Sequence, residues 1–144
     1  MSRKTDPGRY FEDFRLGETI RHAVPRSVTE GDAALYLGLT GSRFALHCPD
    51  PLARAIGYAR APLDDMLVFH IVFGRTVPDV SLNAIANLGY AECRFGAPVY
   101  PGDTLATRSE VIGLKETSNR ETGIVWVRST GSNQRGETVL DYVR

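Results

Sequence analysis

The sequence predicts an α+β fold in which an antiparallel sheet wraps over one buried helix. Three observations carry this. The run Met66 to Phe73 is apolar on nearly every side of a helix, which is the pattern of an element covered all round. After Pro78 the apolar period changes from helical spacing to two, the spacing of half-buried strands. At 144 residues, 42% of them hydrophobic, the chain has the material for one core. A chain of this size buries about 68–70% of its unfolded surface without disulfide or metal staples. Residues 1–144 are therefore read as a single domain.

The elements follow in order. Residues 1–10 read as a loose arm. Phe11 to Phe14 and Leu16 to Glu18 suggest a turn into a strand at Thr19–Val24, ended by Pro25 and Arg26. Thr29 is an N-cap with Asp32 three residues on, a variant capping box opening a helix that Gly41 closes. Asp50 caps a short helix with Pro51 at its first position and Gly57 after it. The buried helix runs from about Leu63 to Arg75, with Pro62 and Asp64 marking its start. Four strands are expected at Leu82–Phe95, Asp103–Leu114, Gly123–Ser132 and Thr138–Val143. Pro98 to Asp103 is a turn between the first two, and residues 118–120 and 133–136 are hairpin loops.

Charge and composition exclude several classes. Seventeen basic and seventeen acidic residues leave no basic excess for nucleic acid. Cys48 and Cys93 form no CxxC pair and no Cys/His cluster at zinc spacing, so both are read as reduced thiols of a cytoplasmic protein with no metal site. No apolar run reaches the ~18–20 residues that span a bilayer, and the polar start Met1 to Gly8 lacks a signal-peptide core.

Several stretches resemble MaoC-like hydratases: Tyr10 to Glu18, Val28 to Asp32, Leu39 to His47 with Asp50 and Ala53, and Arg94 to Thr104. That resemblance implies the hot-dog fold, a long central helix wrapped by an antiparallel sheet. Within the family, four stretches look like the first half of double-length members: Gly41 to Leu46, Ala61 to Asp65, Phe73 to Asn83 and Ser129 to Glu137. Those members act on a branched C5 dicarboxylic enoyl-CoA such as mesaconyl-CoA. The chain also stops on Leu140 to Arg144 inside a predicted strand, as a first half would. The resemblance further implies an acyl-CoA thioester substrate, no cofactor beyond the CoA of the substrate, and pairing as a homodimer or with a second hot-dog half.

The family motif reads Gly-Asp-x-Asn-Pro-[Ile/Leu]-His. Its Asp and His hold one water, whose hydroxyl adds to the β-carbon while a proton goes to the α-carbon. In this chain the motif positions run from Gly41 to His47. Gly and His match; the Asp position is Ser42, the Asn position Phe44 and the Pro position Ala45. A serine hydroxyl is too weak a base at neutral pH to replace the carboxylate. His47 is the candidate catalytic imidazole, and Asp65 at the start of the buried helix is the candidate replacement carboxylate. Ser42 and Asp64 are candidate substrate contacts. Capping is the plainer role for Asp64 and Asp65. His47 is alternatively a structural or substrate-contacting histidine.

The other polar residues have blander readings. His70, mid-helix among apolar residues, is expected to be a satisfied core histidine. His22 is expected at the surface, and Asp103 in its turn. Arg43, Arg60 and Arg94 are read as solvated. Two alternatives to hydration stay open. One is a non-catalytic half that shapes the acyl pocket or a dimer interface. The other is a hot-dog thioesterase in which Asp64 or Asp65 activates water.

Overall fold

A computed structural model describes residues 8–47 and 50–144. Cys48 and the first seven residues of the expected arm lie outside the described residues. The strands are β1 (Thr19–Arg21), β2 (Arg26–Ser27), β3 (Ala91–Phe95), β4 (Thr104–Glu116), β5 (Gly123–Ser132) and β6 (Thr138–Val143). The helices are α1 (Glu30–Thr40), α2 (Asp50–Ala55) and α3 (Asp65–Thr76). The described strands form one antiparallel sheet in the order β1-β4-β5-β6-β3, with β2 also pairing with β4.

Alternation along β4 and β5 puts Leu105, Val111 and Val127 on the inner face. α3 lies against that face and buries Leu67, Val68, Phe69, Ile71 and Val72. These meet Val139, Leu140 and Tyr142 of β6 in the main core. The helix comes so close that a Cβ built on Gly131 would lie 2.5 Å from Val72 Cγ2. Glycine at 131 is thus required by close approach, not by backbone conformation.

The α1 boundaries follow the predicted caps. The Thr29 hydroxyl accepts from Asp32 N–H at 3.2 Å, and the Asp32 carboxylate accepts from Thr29 N–H at 2.9 Å. Gly41 closes α1 in the left-handed region at φ 64°. α3 begins two residues later than expected. Asp64 is its N-cap, with Oδ1 accepting from Met66 N–H at 2.8 Å. Beyond Thr76 the chain continues as a π-helix, Val77–Ser81, with Pro78 in its first turn.

Five expectations need correction. The strand expected at Leu82–Phe95 is confined to Ala91–Phe95, because residues 82–90 run irregularly with no strand beside them. Gly89, at φ 152°, marks the break before β3. The strand expected at Thr19–Val24 ends at Arg21 and re-pairs with β4 as β2. α3 is not covered all round: Met66, His70 and Gly74, spaced by four, form an exposed stripe. His70 on that stripe is therefore exposed and not in the core; its ring lies 6.4 Å from that of Tyr36.

His22 is the reverse case: its side chain is 0% exposed. It lies two residues beyond the inward Ile20 and shares its face. Its Nδ1 meets Asp79 Oδ2 at 2.7 Å and its Nε2 meets Ser109 Oγ at 2.7 Å. Ser109 Oγ continues to Ser129 Oγ at 2.7 Å. The order is that of a nucleophile relay, yet Ser109 is 1% exposed and Ser129 0%, so the hydroxyls serve the interior. The chain staples β1, β4 and β5 to the π-helix. Asp103, as expected, serves its turn: Oδ2 accepts from Tyr100 N–H at 2.9 Å and Oδ1 from Gln134 Nε2 at 2.6 Å.

Two stability outcomes are expected in urea unfolding. Gly131→Ala forces a methyl into Val72 and costs about 1–3 kcal/mol. His22→Leu removes one hydrogen-bond partner from Asp79 and one from buried Ser109 and costs about 2–4 kcal/mol. A midpoint equal to wild type in either variant contradicts the corresponding packing or staple.

Candidate functional site

His47 closes a short 3-10 turn, Ala45–His47, that leads toward α2. Its Nδ1 lies 3.0 Å from the carbonyl oxygen of Pro62. A carbonyl only accepts, so Nδ1 carries the hydrogen. In the neutral ring Nε2 is then the nitrogen with a free lone pair. Pro62 is itself buried, and Leu63 N–H donates to Val99 O at 2.8 Å. The carbonyl that sets the imidazole tautomer is thus held by the core.

Asp65, the first residue of α3, lies in the same wall as His47. Both line an open cleft of about 260 Å³ together with Phe44, Leu46, Tyr58, Pro62, Phe95, Gly96 and Pro98. The Asp65 carboxyl is held above the usual carboxylate range, chiefly because the surrounding protein strips it of solvation. Attraction from His47 opposes the rise and repulsion from the Asp64 carboxylate adds to it. A carboxylate and an imidazole that line one cleft and influence each other electrostatically are the groups that move protons through a shared water when both are within hydrogen-bond reach of it.

The structure brings His47 and Asp65 together, but Ser42 and Asp64 are not part of the cleft lining. Ser42 is half-buried just past the α1 cap, and the Asp64 carboxylate is occupied in capping α3. Asp64 acts on the cleft only through its charge. Of the three aromatic lining residues, Phe44 stood out in the sequence only as a departure from the motif, and Tyr58 and Phe95 were not candidates. Phe44 carried a signal, since it stands where the motif has Asn, three residues before His47. Tyr58 and Phe95 carried none, being far apart in sequence and joined only by folding. Arg60, read as solvated, is paired with Glu30 at 2.5 Å. No group of three or more His, Cys, Asp or Glu among the described residues is placed to hold a metal ion. No helix among them is long and apolar enough to cross a membrane.

Comparison with known proteins bears on this arrangement. The beta-methylmalyl-CoA dehydratase of Chloroflexus aurantiacus is 65% identical over 144 residues, all of this chain and 41% of that protein. The mesaconyl-CoA hydratase of Cereibacter sphaeroides is 62% identical over 141 residues, 98% of this chain and 41% of that protein. The chain thus spans about two-fifths of the length of these curated relatives. A Mycobacterium tuberculosis protein described as having a double hotdog fold superposes with a TM-score of 0.87 at 29% identity, over 96% of this chain and 43% of that one. The helix-and-sheet architecture described above is the hot-dog fold. The family model described as MaoC like domain matches residues 13–133, and the chain belongs to that family.

Proposed function

We propose that this chain is a hot-dog unit of an acyl-CoA hydratase that adds water reversibly to a branched C5 dicarboxylic enoyl-CoA, the mesaconyl-CoA/β-methylmalyl-CoA pair. The observation that carries the reading is the joint placement of His47 and Asp65 in one cleft. The names of the two relatives support the substrate class. His47 Nε2 takes one proton from water while the Asp65 carboxylate accepts a hydrogen bond from the O–H that stays on the oxygen and orients its lone pair. The hydroxyl adds to the β-carbon, electrons pass to the thioester oxygen, and as the enolate collapses the α-carbon takes back the proton held by the His47 imidazolium, which restores the neutral base. The thioester itself acidifies the α-carbon, so this chemistry requires no metal and no redox cofactor. An acyl-CoA substrate and the exposed free thiol of Cys93 both suit a cytoplasmic setting.

A second unit belongs to the same reading. β3 ends the sheet, and all five of its residues are exposed. Leu88 and Tyr90, in the segment that leads into β3, are 75% and 47% exposed, and Met66, Leu82 and Ile85 are further exposed apolar side chains of the unit. An unpaired sheet edge flanked by apolar side chains is a surface that binds another chain or domain. We assign to it a second hot-dog unit, either the remainder of a double-length protein or a second copy. That arrangement also admits the alternative in which this unit shapes the pocket and its partner does the chemistry. The exclusion of Ser42 from the cleft lining favours that alternative.

Three outcomes are expected. In the polypeptide as its gene encodes it, His47→Ala lowers kcat/KM for mesaconyl-CoA hydration by about 10²–10⁴-fold, read from loss of enoyl absorbance, with the unfolding midpoint unchanged. Full activity in that variant assigns the chemistry to the partner unit. Asp65 must be ionised to orient the water, so activity falls as pH drops through its raised pKa. Asp65→Asn therefore lowers kcat/KM by about tenfold or more at neutral pH, and its deficit against wild type shrinks as the pH falls through the raised Asp65 pKa, where the wild-type carboxyl is also neutral. For the surface, Leu88→Glu in the isolated chain shifts sedimentation toward the monomer; a species unchanged from wild type removes this face as the contact.

A further inference from the structure

Phe44 keeps 61% of its surface exposed although it forms part of the cleft wall. Its ring meets the His47 imidazole edge-on, with centroids 5.2 Å apart and planes at 63°. Tyr58, Phe95, Leu46 and Pro98 complete the apolar lining. An aromatic ring contributes to a core by giving up its water-exposed area. Phe44 gives up little, so core packing does not account for its placement. Its exposed surface stands next to the imidazole, and whatever covers the ring lies beside His47.

The cleft is small. About 260 Å³ falls below the usual range of roughly 300–1,000 Å³ for small-molecule sites. Phe44 stands in the wall of this cleft beside His47, so its ring bears on what can extend past the imidazole. We propose that Phe44 is the acyl-specificity residue of this site. Its ring covers a short branched acyl group and blocks a long linear chain from running past the imidazole. The inference rests on the acyl-CoA reading above and deepens it by naming the residue that selects the acyl group.

The test uses the polypeptide as its gene encodes it, with kcat and KM measured for mesaconyl-CoA and trans-2-octenoyl-CoA. Phe44→Ala is expected to raise the octenoyl-to-mesaconyl ratio of kcat/KM about tenfold or more, chiefly through a lower KM for the octenoyl thioester. Phe44→Leu, which keeps most of the side-chain bulk, is expected to raise it less. A ratio within about twofold of wild type in both folded variants overturns the proposal. Binding of the saturated thioesters methylsuccinyl-CoA and octanoyl-CoA, measured by calorimetry, separates the two levels. Binding with an unchanged preference in Phe44→Ala overturns the role of Phe44 and leaves the acyl-CoA reading standing. Wild-type protein that binds neither thioester and hydrates neither enoyl-CoA overturns both.

Discussion

The seat of α3 on the sheet is the contact on which the rest of the molecule depends. Val72 is fully buried, and glycine at 131 lets it approach the β5 backbone more closely than any side chain there would allow. That approach sets the depth of the helix. At the start of the seated helix Asp64 caps it by accepting Met66 N–H. Asp65 follows directly and so stands in the cleft wall, where loss of solvation raises its pKa. The placement of Asp65 and His47 in the lining of one cleft is thus made by folding, since the two residues are 18 positions apart.

The far end of the same helix is held by polar groups. Asp79, His22, Ser109 and Ser129 run from the π-helix through the inner face of the sheet. Buried polar groups are costly unless hydrogen-bonded, and each of these distances is 2.7 Å. One end of α3 therefore presents titratable groups to an open cleft, and the other has them bonded in the interior. The exposed stripe of α3 and the edge strand β3 lie between these ends and leave apolar area in water. A hot-dog unit with such a face is suited to pairing, which agrees with relatives more than twice its length.

Much of the fold was legible because it depends on local chemistry. The Thr29 and Asp32 box, the Gly41 cap, the Pro98 to Asp103 turn and the two long hairpin strands are written in adjacent residues. His22 and His70 show the limit. Each was placed by its neighbours in sequence, and each lies on the opposite side from that reading. His22 is drawn inward by Asp79, 57 positions away. His70 looks outward because the sheet covers only one side of its helix. Residues 82–90 alternate well enough for a strand, but alternation cannot supply a neighbouring strand to pair with.

The site divides in the same way. Sequence alone determined the family pattern, the retained His47, the lost motif carboxylate at Ser42 and Asp65 as a candidate replacement. Motif spacing is a local property of the chain, and Asp65 became a candidate because the family resemblance implies a helix start that faces the thioester. The tertiary structure decided that Asp65 stands in the cleft wall while Asp64 caps the helix, and that Ser42 stands aside. It also decided the tautomer of His47, through a carbonyl held by the core, and the aromatic wall of Phe44, Tyr58 and Phe95. Those outcomes depend on how deeply a helix sits and which surfaces meet across the fold, and packing alone sets them.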